Sequence, residues 1–467
     1  MSGPMPASAF VSPDAIRTLF STAMSEMYRL EVPQYGTLME LVAQVNEEAR
    51  KADPRLDQRL IEGGEVERLH LERHGAIRLG TAFELATMRR LFAVMGMVPV
   101  GYYDLSVAGV PVHSTAFRPV EPESLRRNPF RVFTSLLRLD LIADPALRQE
   151  AADILARRSI YTPGCLALID TAERHGGLIE AEARRFVTEA LETFRWHSEA
   201  TVPSQVYQRL RAAHPLIADV VCFKGPHINH LTPRTLDIDA VQARMPAHGI
   251  VPKAVIEGPA PRKVPVLLRQ TSFRALKEAI AFPSESGPGH EDGTHTARFG
   301  EIEQRGAALT PKGRALYDTL LGEVRADVQV KSDGENAADY MAALARHFAA
   351  LPDDEDALRR EGLAYFRYSA TDKPGAPVGA DIETLIAGGF LTAEPITYED
   401  FLPVSAAGIF QSNLGDESQR NFTARANRAA FERDLGAAVT DEDALYAAFE
   451  ATSKAAALAA LGARAAA

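Results

Sequence analysis

The sequence predicts an α+β fold in which a strand–helix–strand–strand–strand order occurs twice, with large helical insertions and helical N- and C-terminal regions. Three observations carry this. Apolar residues recur at helical spacing at both ends and in the middle of the chain, whereas extended, β-prone stretches gather in two blocks. The two blocks also share short patterns. His74-Gly-Ala-Ile-Arg78 is matched by His230-Leu-Thr-Pro-Arg234, and Gly96-Met-Val-Pro99 by Gly249-Ile-Val-Pro252, at offsets of 156 and 153 residues. Near-equal offsets point to an internal duplication, and sites commonly form where two such halves meet.

Residues 1–60 read as N-terminal helices that pack on the core. Ser12 is placed to cap a helix with Pro13 at its first position, and Ile16, Leu19, Phe20, Ala23, Met24 and Met27 keep helical spacing. A second helix is expected from Thr37, with Leu38, Leu41, Val42 and Val45 on one face. Residues 61–143 form the first βαβββ unit: a strand at Ala76–Leu79, a helix opened by the Thr81/Glu84 capping pattern and ended at Gly96, then extended stretches at Val98–Leu105, Pro111–Val120 and Phe130–Leu141. Residues 144–218 are a helical insert, clearest at Pro145–Arg157, Glu180–Phe194 and Ser204–Ala213.

Residues 219–310 repeat the order. A strand surrounds His230, a short helix covers Asp237–Met245, extended stretches follow at Val251–Glu257 and Val264–Phe273, and a loop rich in Gly, Ser and Pro (Pro283–Gly293) precedes a last strand at Arg298–Arg305. Residues 311–467 are mostly helical, as at Lys312–Val324 and Ala337–Ala349, and contribute a pocket loop near 400–413. The Ala-rich tail after Ser453 reads as a terminal helix that frays into disorder.

Composition narrows the function. Hydrophobic residues make up 46% and charged residues 24% of 467, enough to bury a sizeable core. The net charge of −11, with basic residues interspersed among acidic ones, disfavours a phosphate backbone as partner. No apolar run approaches the roughly 20 residues that span a bilayer, and the first sixteen residues lack the basic and apolar blocks of a secretory signal. The expectation is a cytoplasmic protein without nucleic-acid or membrane partners. Cys165 and Cys222 are far apart and form no CxxC pair, so a metal would be held by His and carboxylates.

Nucleotide-binding, zinc-protease and serine-hydrolase signatures are absent. Histidine remains, in three short clusters: His70/His74, His227/His230 and His290/His295. His74 and His230 hold equivalent places in the two repeats and converge if the halves pair about a pseudo-twofold axis. In Phe299-Gly-Glu301-Ile-Glu303-Gln-Arg305, strand alternation puts Glu301, Glu303 and Arg305 on one face, so either glutamate is a candidate third ligand. Two histidines and one carboxylate form the facial triad of non-haem iron(II) oxygenases, which leaves coordination positions for a 2-oxo acid and O₂. With zinc the same ligands give a hydrolase or lyase. Arg78, four residues after His74 at strand spacing, is placed either to grip a distal carboxylate with two hydrogen bonds or to form a surface ion pair. A divalent-metal lyase or isomerase, a ring-cleaving dioxygenase and a non-catalytic dicarboxylate-binding module all remain open from these residues.

The segments Arg73-His-Gly-Ala-Ile-Arg78-Leu-Gly-Thr81, Phe223-Lys-Gly-Pro-His-Ile-Asn-His230-Leu-Thr-Pro-Arg234, Arg298-Phe-Gly-Glu301-Ile-Glu303-Gln-Arg305-Gly306 and Asp400-Phe-Leu-Pro-Val404-Ser405 closely resemble the 2-oxoadipate dioxygenase/decarboxylase family over nearly the whole chain. The resemblance implies a vicinal-oxygen-chelate core of paired βαβββ units and Fe(2+) bound by His74, His230 and Glu301. Glu301 is preferred to Glu303 because Glu-Ile-Glu-Gln-Arg resembles the iron-binding Glu-x-x-Gln-Arg strand of hydroxyphenylpyruvate dioxygenases. It also implies that Arg78 binds the substrate carboxylate, that Val404 and Ser405 line the substrate pocket, and that His74, Arg78, His230 and Glu301 form the catalytic set. The implied reaction converts 2-oxoadipate and O₂ to 2-hydroxyglutarate and CO₂, in lysine breakdown.

Overall fold

Ser12 and Thr81 show why the helices begin where they do. In the computed structural model, which describes residues 10–273, 277–284, 289–296, 298–329, 334–402 and 427–465, the Ser12 hydroxyl accepts from the Ala15 N–H and Pro13 opens helix Pro13–Glu31. Thr81 accepts from the Glu84 N–H at the start of helix Ala82–Val94. The Glu84 carboxylate does not close a capping box; it accepts from the Gly80 N–H and pairs with Arg158. The second helix begins at Pro33 rather than Thr37, because Pro33 supplies a pre-set first position directly after Val32.

The chain divides into two compact units. The first comprises residues 1–252, 272–302 and 403–440. Its sheet is built from β1 (Arg73–Leu79), β2 (Val98–Asp104), β3 (Val112–Arg118), β4 (Arg131–Leu137) and β5 (Leu231–Pro233), in the order β2-β3-β4-β1-β5. β1 runs parallel to β4 and antiparallel to β5, with His74 opposite Arg131 on one side and Thr232 on the other. β3 and β4 are buried at every position, so the sheet is covered on both faces and its strands read as apolar runs rather than as strict alternation. Helices Pro13–Glu31, Ala82–Val94, Pro163–His175 and Glu180–Leu191 contribute to the core through Phe20, Met24, Leu85, Phe92, Ile169 and Phe186.

The expected helices at 145–157, 180–194 and 204–213 are present as Pro145–Ala156, Glu180–Leu191 and Ser204–Ala213, and two further helices, Pro163–His175 and Pro215–Val221, lie among them. Gly96 and Gly249, the glycines of the two Gly-x-Val-Pro patterns, both adopt positive φ (67° and 73°) directly after helical turns.

After β5 comes helix Ile238–Arg244, capped by Asp237. Residues 251–257 form isolated bridges at Pro252 and Glu257 rather than the expected strand. Proline has no N–H to donate to a ladder, which accounts for the interruption. β6 spans Leu268–Ser272. β7 (Glu278–Pro283), in a stretch given no element from the sequence, and β8 (His290–His295), which begins inside the expected loop 283–293, form an antiparallel pair. Ile280 and Phe282 alternate inward on β7, but two apolar positions amid Ala, Pro and Gly carry little strand signal. β9 covers Glu301–Arg305 and pairs with β6, the division between the units falling within both strands.

The second unit, residues 253–271, 303–402 and 441–467, contains helices Pro311–Asp327, Ala337–Phe348, Glu355–Arg360, Ile382–Ala387 and Glu442–Ala465. It also contains the antiparallel pair β10 (Phe366–Ala370) and β11 (Leu391–Pro395). Tyr317, Leu344, Phe348, Leu358, Phe366 and Leu391 belong to its separate core.

Candidate metal centre and carboxylate pocket

Glu72, immediately before β1, fixes the ground on which the site is built. Its buried carboxylate accepts from Arg68 (3.1 Å), Arg131 of β4 (2.8 Å) and Arg234 just after β5 (3.0 Å). Burial raises its pKa, but the three guanidinium groups outweigh that and hold the carboxyl well below the usual range. Strands β4, β1 and β5 are thus tied at one end, next to His74. On β1 the Ala76 C=O accepts from the Asn229 N–H (2.9 Å), and the Asn229 C=O accepts from the Phe299 N–H (3.2 Å). This relay lines up His74, the residue after Asn229, and the start of β9.

The result is a buried meeting of three side chains from distant parts of the sequence. One ligand-type atom from each of His74, His230 and Glu301 lies within 4.8 Å of the others. Glu301 Oε2 is 3.1 Å from His74 Nε2 and 3.3 Å from His230 Nδ1. The two imidazoles stand edge to face at 84°, centroids 5.2 Å apart, and His230 stacks on Phe299. Burial works against ionisation of Glu301, but His230, His74 and the Thr232 hydroxyl together hold its carboxyl below the ordinary value. Thr232 donates to Glu301 Oε2 at 2.9 Å and lies 2.9 Å from His230 Nδ1. A hydroxyl that donates to the carboxylate accepts from the imidazole N–H, which fixes the tautomer and ring orientation. Thr232 escaped the sequence reading; its position two residues after His230 on the same strand face was the available signal.

The donor set fits a divalent metal. Two imidazole nitrogens and one carboxylate oxygen, close enough together to reach one ion, make the two-histidine, one-carboxylate ligand set. Glu303, the other glutamate considered, is engaged by Arg305 through two 2.9 Å hydrogen bonds in the second unit. Val404 and Ser405 lie outside the described residues.

Arg78 lies on the His74 side of β1, its side chain 24% exposed. Its Nη1 donates to Asp219 Oδ2 at 2.7 Å, and Asp219 is its one acceptor among the described residues. Asp219, on helix Pro215–Val221, is buried and also accepts from His295 Nε2 at 2.9 Å, with His227 Nε2 3.5 Å away. Burial opposes its ionisation; His227, Arg78 and His295 reverse that and depress its pKa. Burial pushes His227 down to about 3. Sequence reading passed over Asp219, although a lone charge inside Leu216-Ile-Ala-Asp219-Val-Val221 marks a buried carboxylate in need of partners.

A sequence model of the family described as 2-oxoadipate dioxygenase/decarboxylase matches residues 20–413. The chain is similar to the 2-oxoadipate dioxygenase/decarboxylase of Pseudomonas putida, 60% identical over 456 residues that cover 96% of this chain and 97% of that protein. It is similar to the Escherichia coli protein of the same name, 57% identical over 449 residues, with 95% and 98% covered. Among solved structures, it resembles the hydroxyglutarate synthase from Pseudomonas putida in complex with 2-oxoadipate, with a TM-score of 0.90 and 58% identity over 98% of this chain and 100% of that one. Among the described residues, no helix is long and apolar enough to cross a membrane.

Proposed function

The chain belongs to the 2-oxoadipate dioxygenase/decarboxylase family, and from that premise we propose that it converts 2-oxoadipate and O₂ to 2-hydroxyglutarate and CO₂ at the His74–His230–Glu301 centre. The observation that carries this reading is the convergence of those three buried donors on the strand that also bears Arg78. The atoms balance without a second organic substrate. The 2-oxo acid loses its C1 carboxyl as CO₂ and accepts both oxygen atoms of O₂, one in the new carboxylate and one in the new hydroxyl.

His74, His230 and Glu301 would hold iron(II), which when bound supplies the positions for chelating a 2-oxo acid and activating O₂. Thr232, with His230 and His74, keeps Glu301 ionised, and it holds His230 in one orientation. Arg78 is four residues along β1 from His74, about 13 Å between Cα atoms at strand rise, so both side chains reach into a span suited to a six-carbon diacid. Its guanidinium holds the distal carboxylate and so fixes which carbon lies nearest the metal. Val404 and Ser405 line the substrate pocket in this reading, within a core of paired βαβββ units of the vicinal-oxygen-chelate type. Cys165 and Cys222, both free and buried, suit a reducing, cytoplasmic location.

The test is oxygen uptake by iron(II)-loaded protein given 2-oxoadipate or 2-oxoglutarate, with products identified by mass spectrometry. One O₂ consumed per 2-hydroxyglutarate formed, selectively from 2-oxoadipate, is the expected result. No uptake by fully loaded protein would overturn the reading.

A further inference from the structure

Arg78 does not stand alone at the carboxylate end of the pocket. Its partner Asp219 is held from three directions: by Arg78 of β1, by His295 of β8, and by His227 of the segment before β5. The Tyr207 hydroxyl lies 3.0 Å from His295 Nδ1, extending the chain of contacts to helix Ser204–Ala213. Asp219 only accepts, so His295 Nε2–H donates to it; in the neutral tautomer that does so, Nδ1 accepts from Tyr207. Trp196 packs edge-on to His227 and parallel to His295, which confines both rings. A carboxylate 5% exposed is costly to bury, and this one is met by side chains from three segments far apart in the sequence. The backbone adds a second sign. His227 has a φ of 31°, in the left-handed region that non-glycine residues seldom occupy, and strain of this kind collects at functional sites.

The pairing geometry shows what the network does. Asp219 engages Arg78 through Nη1 alone. Among the described residues no partner takes the Nε–Nη2 edge of the guanidinium, the edge that can grip a second carboxylate with two parallel hydrogen bonds. We infer that Asp219, fixed by His295 and Tyr207, is a positioning residue that sets where along β1 the guanidinium of Arg78 meets the distal carboxylate, and hence the preference for a dicarboxylate of one length. The inference rests on the reading of Arg78 as the distal-carboxylate ligand. It assigns work to His227 and His295, two clustered histidines that the metal centre does not use.

The experiment measures Kd for 2-oxoadipate, for its one-carbon-shorter homologue 2-oxoglutarate and for 2-oxohexanoate, which lacks the distal carboxylate. Binding is measured to the metal-loaded protein without oxygen. Asp219→Asn keeps the shape but removes the charge that fixes Arg78. The expected result is a roughly tenfold weaker binding of 2-oxoadipate, the scale of one hydrogen bond to a charged group, with 2-oxohexanoate little changed. The preference over 2-oxoglutarate falls with it. Tyr207→Phe, which removes one hydroxyl from the far end of the network, shows a smaller loss in the same direction and decides the matter if Asp219→Asn does not fold. Unchanged or tighter 2-oxoadipate binding in the folded variants, or equal weakening of all three ligands, overturns the inference. Binding is read without turnover, so failure of the proposed reaction would appear separately, as wild-type protein that binds but consumes no oxygen.

Discussion

Gly75 and Ile228 are packed so closely that a Cβ on Gly75 would come within 2.5 Å of Ile228 Cδ1 and 3.2 Å of the His230 carbonyl oxygen. Gly75 follows His74 on β1 and lies opposite Leu231 of β5, so the missing side chain is what lets the two histidine-bearing segments approach. Ile228 is fully buried and has little room to turn away. Gly75→Ala is expected to cost about 1–3 kcal/mol by overpacking and to push His230 away from His74. A urea midpoint and a metal-to-protein ratio both equal to wild type would show that the close approach is not needed.

The Thr232 hydroxyl touches both His230 and Glu301. Thr232→Val keeps the shape and removes the donor. Loss of such outer contacts typically lowers metal affinity by about 10–100-fold, with the ligands themselves in place. Competition with a chelator reads this directly. Wild-type metal retention would mean that His230 and Glu301 are oriented by packing, with Phe299 the first candidate.

Arg78→Lys retains the charge and loses the planar two-pronged grip. KM for 2-oxoadipate should rise by about tenfold or more, on the scale of one lost charge-assisted hydrogen bond, while metal content stays constant. Oxygen uptake should then exceed 2-hydroxyglutarate formed, because a loosely held chain presents the wrong carbon. Kinetics and coupling equal to wild type would remove Arg78 from the site.

Why the sequence disclosed some of this and not the rest follows from the range of the forces involved. His74, Arg78 and Glu301 could be read because strand alternation is local and ties a residue's type to its face. The capping pattern at Thr81 was legible for the same reason, although Glu84 found a partner 74 residues away in Arg158 rather than in its own helix. Asp219 was not legible as the partner of Arg78, because their bond spans 141 residues and its helix Pro215–Val221 straddles the expected boundary between the insert and the second unit. The β7–β8 pair was hidden by composition: its ladder joins Glu278 to His295 and Pro283 to His290, so backbone pairing rather than an apolar pattern defines it.

His113, on β3, carries a pH signature. Burial, reinforced by Arg138, pushes its pKa down to about 4. In the unfolded chain a histidine titrates near 6.5. Below about 6.5 the unfolded state therefore takes up a proton that the folded state refuses, and stability falls as pH drops toward 4, by about 1 kcal/mol per pH unit. Above 6.5 this contribution is flat. His113→Phe keeps an aromatic ring against Phe431 and Tyr102 but cannot titrate. The difference in urea midpoint between the two proteins should narrow, or change sign in favour of the variant, as pH falls from 7.5 to 4.5. A pH-independent difference would show that His113 titrates normally in the folded protein.

Glu301 and Glu303 are separated by one residue on β9 and are both buried, yet their surroundings predict opposite failures. Glu301→Gln removes the anionic oxygen that His74, His230 and Thr232 surround, and an amide is a far poorer ligand for a hard divalent ion. The variant should fold, since both histidines can remain neutral, and should bind metal weakly. Glu303→Gln instead breaks a two-pronged pair with the buried Arg305, whose other donors hold the Tyr398 and Asp400 carbonyls. Removing one partner of a buried ion pair costs about 3–5 kcal/mol, so this variant should lose stability while its folded fraction keeps the metal. The reverse pattern, metal loss in Glu303→Gln and retention in Glu301→Gln, would transfer the third ligand to Glu303 and require β9 to present its other carboxylate to the histidines.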